Sequence, residues 1–205
     1  MTQPVRNTDD SAADDDMHEG RRHDLAVAAL HTWSEYGYSQ VSVRNVAKRT
    51  RFSHGMVHYY FHSKDALVAE CVRLIADAHI FASDGTDVAS VSDYSRGLAD
   101  ALSGSFRKNR RFHRIRYDLR NQSQFEPSLR DYAAEVEDDR EKWQREVQGR
   151  YESLGWCFDP PFALLAEQVD ALIERAVRDE LLGADLERTA EDLRQDLLQV
   201  LPKVH

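Results

Sequence analysis

Three serines, Ser42, Ser53 and Ser63, divide one short region of this chain into very small pieces. Each stands just before a run whose apolar residues recur at helical spacing. That is where a side-chain hydroxyl satisfies the free backbone N–H groups of a helix start. After Ser42 come Val43, Val46 and Ala47 on one face. After Ser53 come Val57 and Phe61 at i, i+4, and after Ser63 come Leu67, Cys71, Leu74 and Ile75. The intervals allow two very short helices joined by a tight turn, then a longer helix, which is a helix-turn-helix arrangement. Upstream, "RRHDLAVAALHTWSEYGY" carries Ala26, Ala29, Leu30 and Trp33 at the same spacing, with Gly37 as its stop.

Downstream the helical period continues. "FASDGTDVAS" reads as a loop. Val91, Tyr94, Leu98, Leu102 and Phe106 mark one helix, and Phe112, Ile115 and Leu119 the next. Pro127 suits the first turn of a long helix whose stripe runs through Leu129, Tyr132, Val136, Trp143, Val147, Tyr151 and Leu154 to a stop at Gly155. Two more helices follow, one from Leu165 to Val177 and one from Leu186 to Leu201. Strand-like alternation is absent. The fold class is therefore all-α, with about nine helices. Residues 1–19, poor in apolar side chains and rich in Asp, read as a disordered acidic tail. Residues 20–66 form the helix-turn-helix domain and 67–205 a larger helical domain.

The chain has 205 residues, with 41% hydrophobic content, enough for a sizeable core. No apolar run approaches the ~20 residues that span a bilayer. The N-terminus is polar and acidic, unlike a secretory signal. A protein of the cytoplasm is expected, with Cys71 and Cys157 as two buried thiols. No HExxH, paired Glu-x-x-His or nucleophile motif appears, so neither an enzyme nor a bound metal or cofactor is expected.

Charge is distributed unevenly. The net charge is −9, yet residues 36–64 hold Arg44, Lys48, Arg49, Arg51 and Lys64 and no carboxylate. A basic face on an acidic body suits a module that meets phosphates. With Val57 and Phe61 turned inward, the helix after Ser53 presents His54, His58 and Tyr59 outward, flanked by Met56 and Tyr60. Such groups touch base edges and phosphate oxygens, whereas a merely solvated helix would carry Glu and Lys. Gly55 lets the backbone approach another surface. Ser42 and Lys64 stand at helix starts, where phosphate is favoured, and Arg44 is long enough to reach a guanine edge.

Ser42 to Leu67 closely resembles the DNA-binding domain of TetR-family transcriptional repressors. The matching residues are Val46-Ala47, the turn Thr50-Arg51-Phe52-Ser53, then Gly55, Val57, His58, Tyr60, Phe61 and Lys64. The likeness covers roughly residues 22–75. Two positions depart from it: Arg51 replaces the turn glycine and His58 the usual tyrosine. The resemblance implies that Ser42, Arg44, Ser53, His54, Gly55, Met56, His58, Tyr59, Tyr60 and Lys64 contact double-stranded operator DNA. It further implies a bacterial, ligand-released repressor that dimerises through its last two helices, about 162–201. Those helices are expected to be too apolar on one side for a lone chain. The alternative is a small-molecule sensor that acts through a protein partner and keeps a weakened DNA head.

"RYDLRNQSQFEPSLR" loosely resembles the body of BetI-type repressors. The candidate effector site is Phe112, Arg116, Tyr117, Arg120, Trp143 and Tyr151. If Arg116 or Arg120 points inward, an anionic small molecule is the expected partner. Otherwise Asp118, Glu126 and Asp131 pair with these arginines at the surface.

Overall fold

The computed structural model describes residues 8–78 and 88–204. All regular structure among them is helical: α1 (Thr8–Tyr36), α2 (Val43–Arg49), α3 (His54–Tyr60), α4 (Lys64–Asp77), α5 (Val91–Gln122), α6 (Arg130–Ser153), α7 (Phe162–Leu181) and α8 (Leu186–Val200). Short 3-10 turns, Tyr38–Gln40 and Pro127–Leu129, precede α2 and α6. The chain divides into two compact units, Met1–Leu74 and Ile75–His205, with the division inside α4 rather than at its start.

In the first unit, α1 begins well before the expected Arg21. The tail expected over residues 1–19 is therefore helical from Thr8 onward, and residues 1–7 lie outside the described residues. The physical reason is local. Ala12 and Ala13 are strong helix formers, and Asp9 and Asp10 in the first turn complement the positive end of the helix dipole. Leu25, Ala26, Ala29, Leu30 and Trp33 of α1 are buried, as are Val46, Val57, Phe61, Leu67, Val68 and Cys71 of the helices that follow. The Cys71 thiol donates to the Ala26 carbonyl at 3.8 Å. Burial pushes that thiol's pKa up, so it stays protonated. Arg22 of α1 donates two bonds, 3.1 and 3.0 Å, to Glu70 of α4, which Arg73 also contacts. Burial alone would raise the Glu70 pKa, but the bonds from Arg73 and Arg22 hold it below its ordinary value.

In the second unit, one core joins α5, α6, α7 and α8 through Leu98, Leu102, Phe106, Val147, Tyr151, Ile173, Val177, Leu193 and Leu197. The two helices expected around residue 109 are one element. The backbone at Asn109 leaves helical values (φ −114, ψ 21), and the helix resumes beyond it. Asn109 turns its amide toward the Ser105 hydroxyl at 3.5 Å, a local bond of the kind that competes with helical geometry. Eight α-helices among the described residues thus stand where about nine were expected. The apolar stripes of α7 and α8 are mostly consumed inside this core, with Ala166, Val169, Ile173, Ala176, Ala190 and Leu201 buried. Leu164, Leu181 and Leu182 remain exposed, and Leu165, Leu172, Leu186, Leu198 and Val200 are only partly buried. Cys157 is also exposed, against expectation. It follows the positive-φ turn at Gly155, outside any helix that would hold it inward.

Candidate nucleic-acid interface

The three serines cap as their positions require. Ser42 Oγ accepts from the Asn45 amide, Ser53 Oγ from Met56 and Ser63 Oγ from Ala66, each at 3.1 Å. Caps matter here because helices of seven residues, the length of both α2 and α3, are too short to hold themselves in water. Val46, Val57 and Phe61 are completely buried, and they fix which side of α3 faces out.

The outward side carries His54, Gly55, His58 and Tyr59, with Met56 and Tyr60 half-buried beside them. Tyr59 is 65% exposed. The imidazoles of His54, His58 and His62 follow one another at centroid distances of 6.2 and 6.0 Å. Tyr59 and Tyr60 meet edge to face at 5.1 Å. A Cβ built at Gly55 would meet nothing nearer than Ser53 Oγ at 4.0 Å. No internal contact therefore requires glycine there, and the missing side chain leaves bare backbone on the outer face.

Cations lie on the helices and turn next to α3 in the chain. Lys64, in the first turn of α4, holds its ammonium 3.4 Å from the centre of the Tyr38 ring. Arg44 is exposed near the start of α2. Arg49 lies over Tyr36 at 4.2 Å. Arg51, in the turn, lies over Phe52 at 5.4 Å and reaches Asp24 at 3.8 Å with its side chain 82% exposed. A pair so solvated is worth at most about 1 kcal/mol. The part of Arg51 in this unit is thus a weak strap from the turn to α1. Two neighbours of the surface had no signal in the sequence. Tyr38 is far from Lys64 along the chain. His18, whose ring lies 4.6 Å from that of Tyr60 and 5.9 Å from that of Tyr59, sits in a stretch that reads as disordered.

The candidate effector residues do not share one environment. Arg116 is inward, 1% exposed, and already neutralised. It contacts Asp170 of α7, with Glu137 of α6 at 3.6 Å. Tyr117 donates to the Asp170 carbonyl at 3.2 Å, and its ring lies 4.4 Å from the Arg116 guanidinium. Half-exposed Arg120 shares Asp170 at 3.4 Å. Arg116 and Arg120 thus meet carboxylates of other helices, Asp170 and Glu137. One turn away, His113 is buried, with Nε2 3.4 Å from the Ser105 hydroxyl. Burial, with Arg116 adding to it, lowers its pKa to about 3. Tyr151 and Trp143 belong to the apolar core. Tyr151 is fully buried, bonded to Ser95 at 2.8 Å and edge-on to Tyr94. Trp143 packs against that core partly buried, and Phe112 is half-buried.

Residues 25–71 match the family described as bacterial regulatory proteins, tetR family. Over 61 residues the chain is 30% identical to the HTH-type transcriptional regulator HbdR of Aromatoleum sp. (strain CIB). That stretch is 30% of this chain and 27% of HbdR, so the curated relative is matched over well under two thirds of its length. Among solved structures, a TetR transcription regulator from Haloarcula marismortui superposes with a TM-score of 0.68 at 17% identity, covering 89% of this chain and 97% of that one. The ketosteroid transcriptional regulator KstR2 of Mycobacterium tuberculosis gives 0.67 at 19%, covering 90% and 96%. The fatty acid degradation regulator FadR from Bacillus halodurans gives 0.65 at 19%, covering 86% and 94%. At such identities the structural likeness establishes the fold. Among the described residues no helix is long and apolar enough to cross a membrane.

Proposed function

We propose that this chain, which carries a TetR-family N-terminal domain and the TetR-type all-helical fold, is a cytoplasmic repressor that binds a palindromic operator as a homodimer and leaves it when an effector binds the body. The first unit is the DNA-binding head, and the second binds effector and partner subunit. The observation that carries the reading is the outer face of α3. It is aromatic and imidazole-rich, free of carboxylate, capped at Ser53 and flanked by Arg44 and Lys64. Such a helix lies in the major groove. Ser42 and Lys64 hold phosphates, and Ser53, Tyr60 and His58 support them. Arg44, His54, Met56 and Tyr59 reach base edges, with Gly55 allowing close approach.

Dimerisation through α7 and α8 would set two such helices about one DNA turn apart, or a multiple of it, to match a palindrome. Exposed Leu164, Leu181 and Leu182 favour α7 as the contact. The effector acts among α5, α6 and α7, near Phe112, Arg116, Tyr117, Arg120, Trp143 and Tyr151. An acidic effector reaches Arg116 only by displacing Asp170. A change in the body would reach the head through α4, which runs from Lys64 to Asp77. Effector and operator then weaken each other by the same factor.

The test is binding of purified protein to palindromic duplexes from its own genomic neighbourhood across a salt series. Affinity should fall steeply with salt, and the double variant Lys64→Ala, Tyr59→Ala should lose retention. No binding to any duplex at low ionic strength would overturn the reading.

A further inference from the structure

A strongly acidic segment and a strongly basic one share the first 64 residues of the chain. Residues 1–20 contain Asp9, Asp10, Asp14, Asp15, Asp16 and Glu19 against a single Arg6, whereas residues 36–64 contain five Lys or Arg and no acid. These acids are not on a detached tail, because the backbone from Thr8 is the first part of α1. Helical rise puts the backbone of Asp14, Asp15 and Asp16 within roughly 6 Å, along the axis, of His18. His18 in turn meets Tyr60 at 4.6 Å and Tyr59 at 5.9 Å, two of the residues assigned to DNA. The exposed His18 ring thus sits beside the reading helix, and a run of aspartates begins one helical turn beyond it.

We propose that the N-terminal extension of α1 is an acidic arm that is docked on the reading helix through His18 and lowers the head's affinity for duplex DNA. The inference rests on the DNA-binding reading of the head. The physics is like-charge repulsion. A duplex that approaches Tyr59 and Tyr60 brings its phosphates toward the arm, and each carboxylate there offsets part of the attraction of Arg44, Lys48 and Lys64. The arm also competes directly, since Tyr59 and Tyr60 must give up or share their contact with His18 to meet DNA. Its effect is on phosphate attraction, so it acts on all sequences and fades as salt screens it. A head that holds random duplex weakly is freer to reach an operator.

The experiment uses full-length protein and three variants: the fivefold change of Asp9, Asp10, Asp14, Asp15 and Asp16 to Asn, the same five positions changed to Glu, and His18→Ala. Binding to random-sequence duplex is measured by fluorescence anisotropy at low and high ionic strength, with circular dichroism to follow helix content. The Asn variant should bind about tenfold more tightly at low salt, with a steeper salt dependence, and the gain should shrink at high salt. The Glu variant, which keeps the charge, should match the parent. His18→Ala should fall between parent and Asn variant, because the arm keeps its charge but loses its anchor. If the parent binds duplex and the Asn variant binds within twofold of it at low salt, the arm has no such role. If the Asn and Glu variants rise together, the effect is structural and the inference fails. A parent that binds no duplex overturns the reading of the head itself, which is a different result.

Discussion

The two units place polar side chains differently. The N-terminal unit buries the Glu70 carboxylate between Arg22 and Arg73, but its histidines and Tyr59 stay on the outside, around a small apolar core of Leu25, Trp33, Val57 and Phe61. The C-terminal unit buries an ion pair, Arg116 with Asp170, beside a neutral His113, and Glu137 and Arg140 close over the pair. An exposed group is available to a partner and contributes little to stability. A buried ion pair is the reverse, since desolvation makes each member costly without the other.

The largest effect should come from separating the buried pair. Arg116→Met leaves Asp170 with half-exposed Arg120 and Tyr117 as its remaining partners. It should destabilise the protein by about 3 kcal/mol in chemical denaturation, while Arg116→Met with Asp170→Leu should cost clearly less. Equal losses in the two would mean that Arg116 contributes through packing rather than charge.

Acid should strain the body before the head, through His113. Its folded pKa of about 3 lies below the ordinary histidine value of 6.5, so the native state binds fewer protons than the unfolded chain. Stability is then complete above pH 6.5. It falls by up to about 1.4 kcal/mol per pH unit as pH drops from there toward 3. Denaturation midpoints at pH 7, 6 and 5 should show the decline, and His113→Gln should flatten it.

Tyr59→Ala sharpens the comparison from the other side. The side chain is exposed, so thermal stability should barely move. DNA affinity should fall by about 1–3 kcal/mol, measured by anisotropy against an operator fragment. The smallest effect separates folding from function at one position. Gly55→Ala should stabilise the free head by up to about 1 kcal/mol, since its Cβ has room, yet weaken DNA binding where backbone meets duplex. A variant that gains stability and keeps full affinity would remove close approach as the reason for this glycine.

Much of the head was legible because its determinants are local. A serine cap acts within four residues, and the i, i+4 pair Val57 and Phe61 orients α3 without help from the rest of the chain. The same local forces act at the N-terminus, where Ala12, Ala13 and the first-turn aspartates continue α1 through a stretch whose composition suggests disorder. Around Asn109 a single non-helical residue kinks a helix without ending it. The body was legible as helices but not as a site. Nothing in "RRFHRIRYDLR" tells whether Arg116 faces water or core, because its partner Asp170 lies 54 residues away on another helix.

Periodicity, caps and charge distribution by themselves determined that the chain is all-helical, that two short capped helices form its head, and which side of α3 is turned outward. They suffice because backbone satisfaction and amphipathic burial are settled within a few turns. Only the tertiary structure decided that Arg116 is neutralised from two other helices, that much of the α7 and α8 stripes is buried in one core, and that His18 rests on Tyr59 and Tyr60. Those outcomes depend on which distant surfaces meet, and a charge's partner is chosen by proximity in space, which no local pattern records.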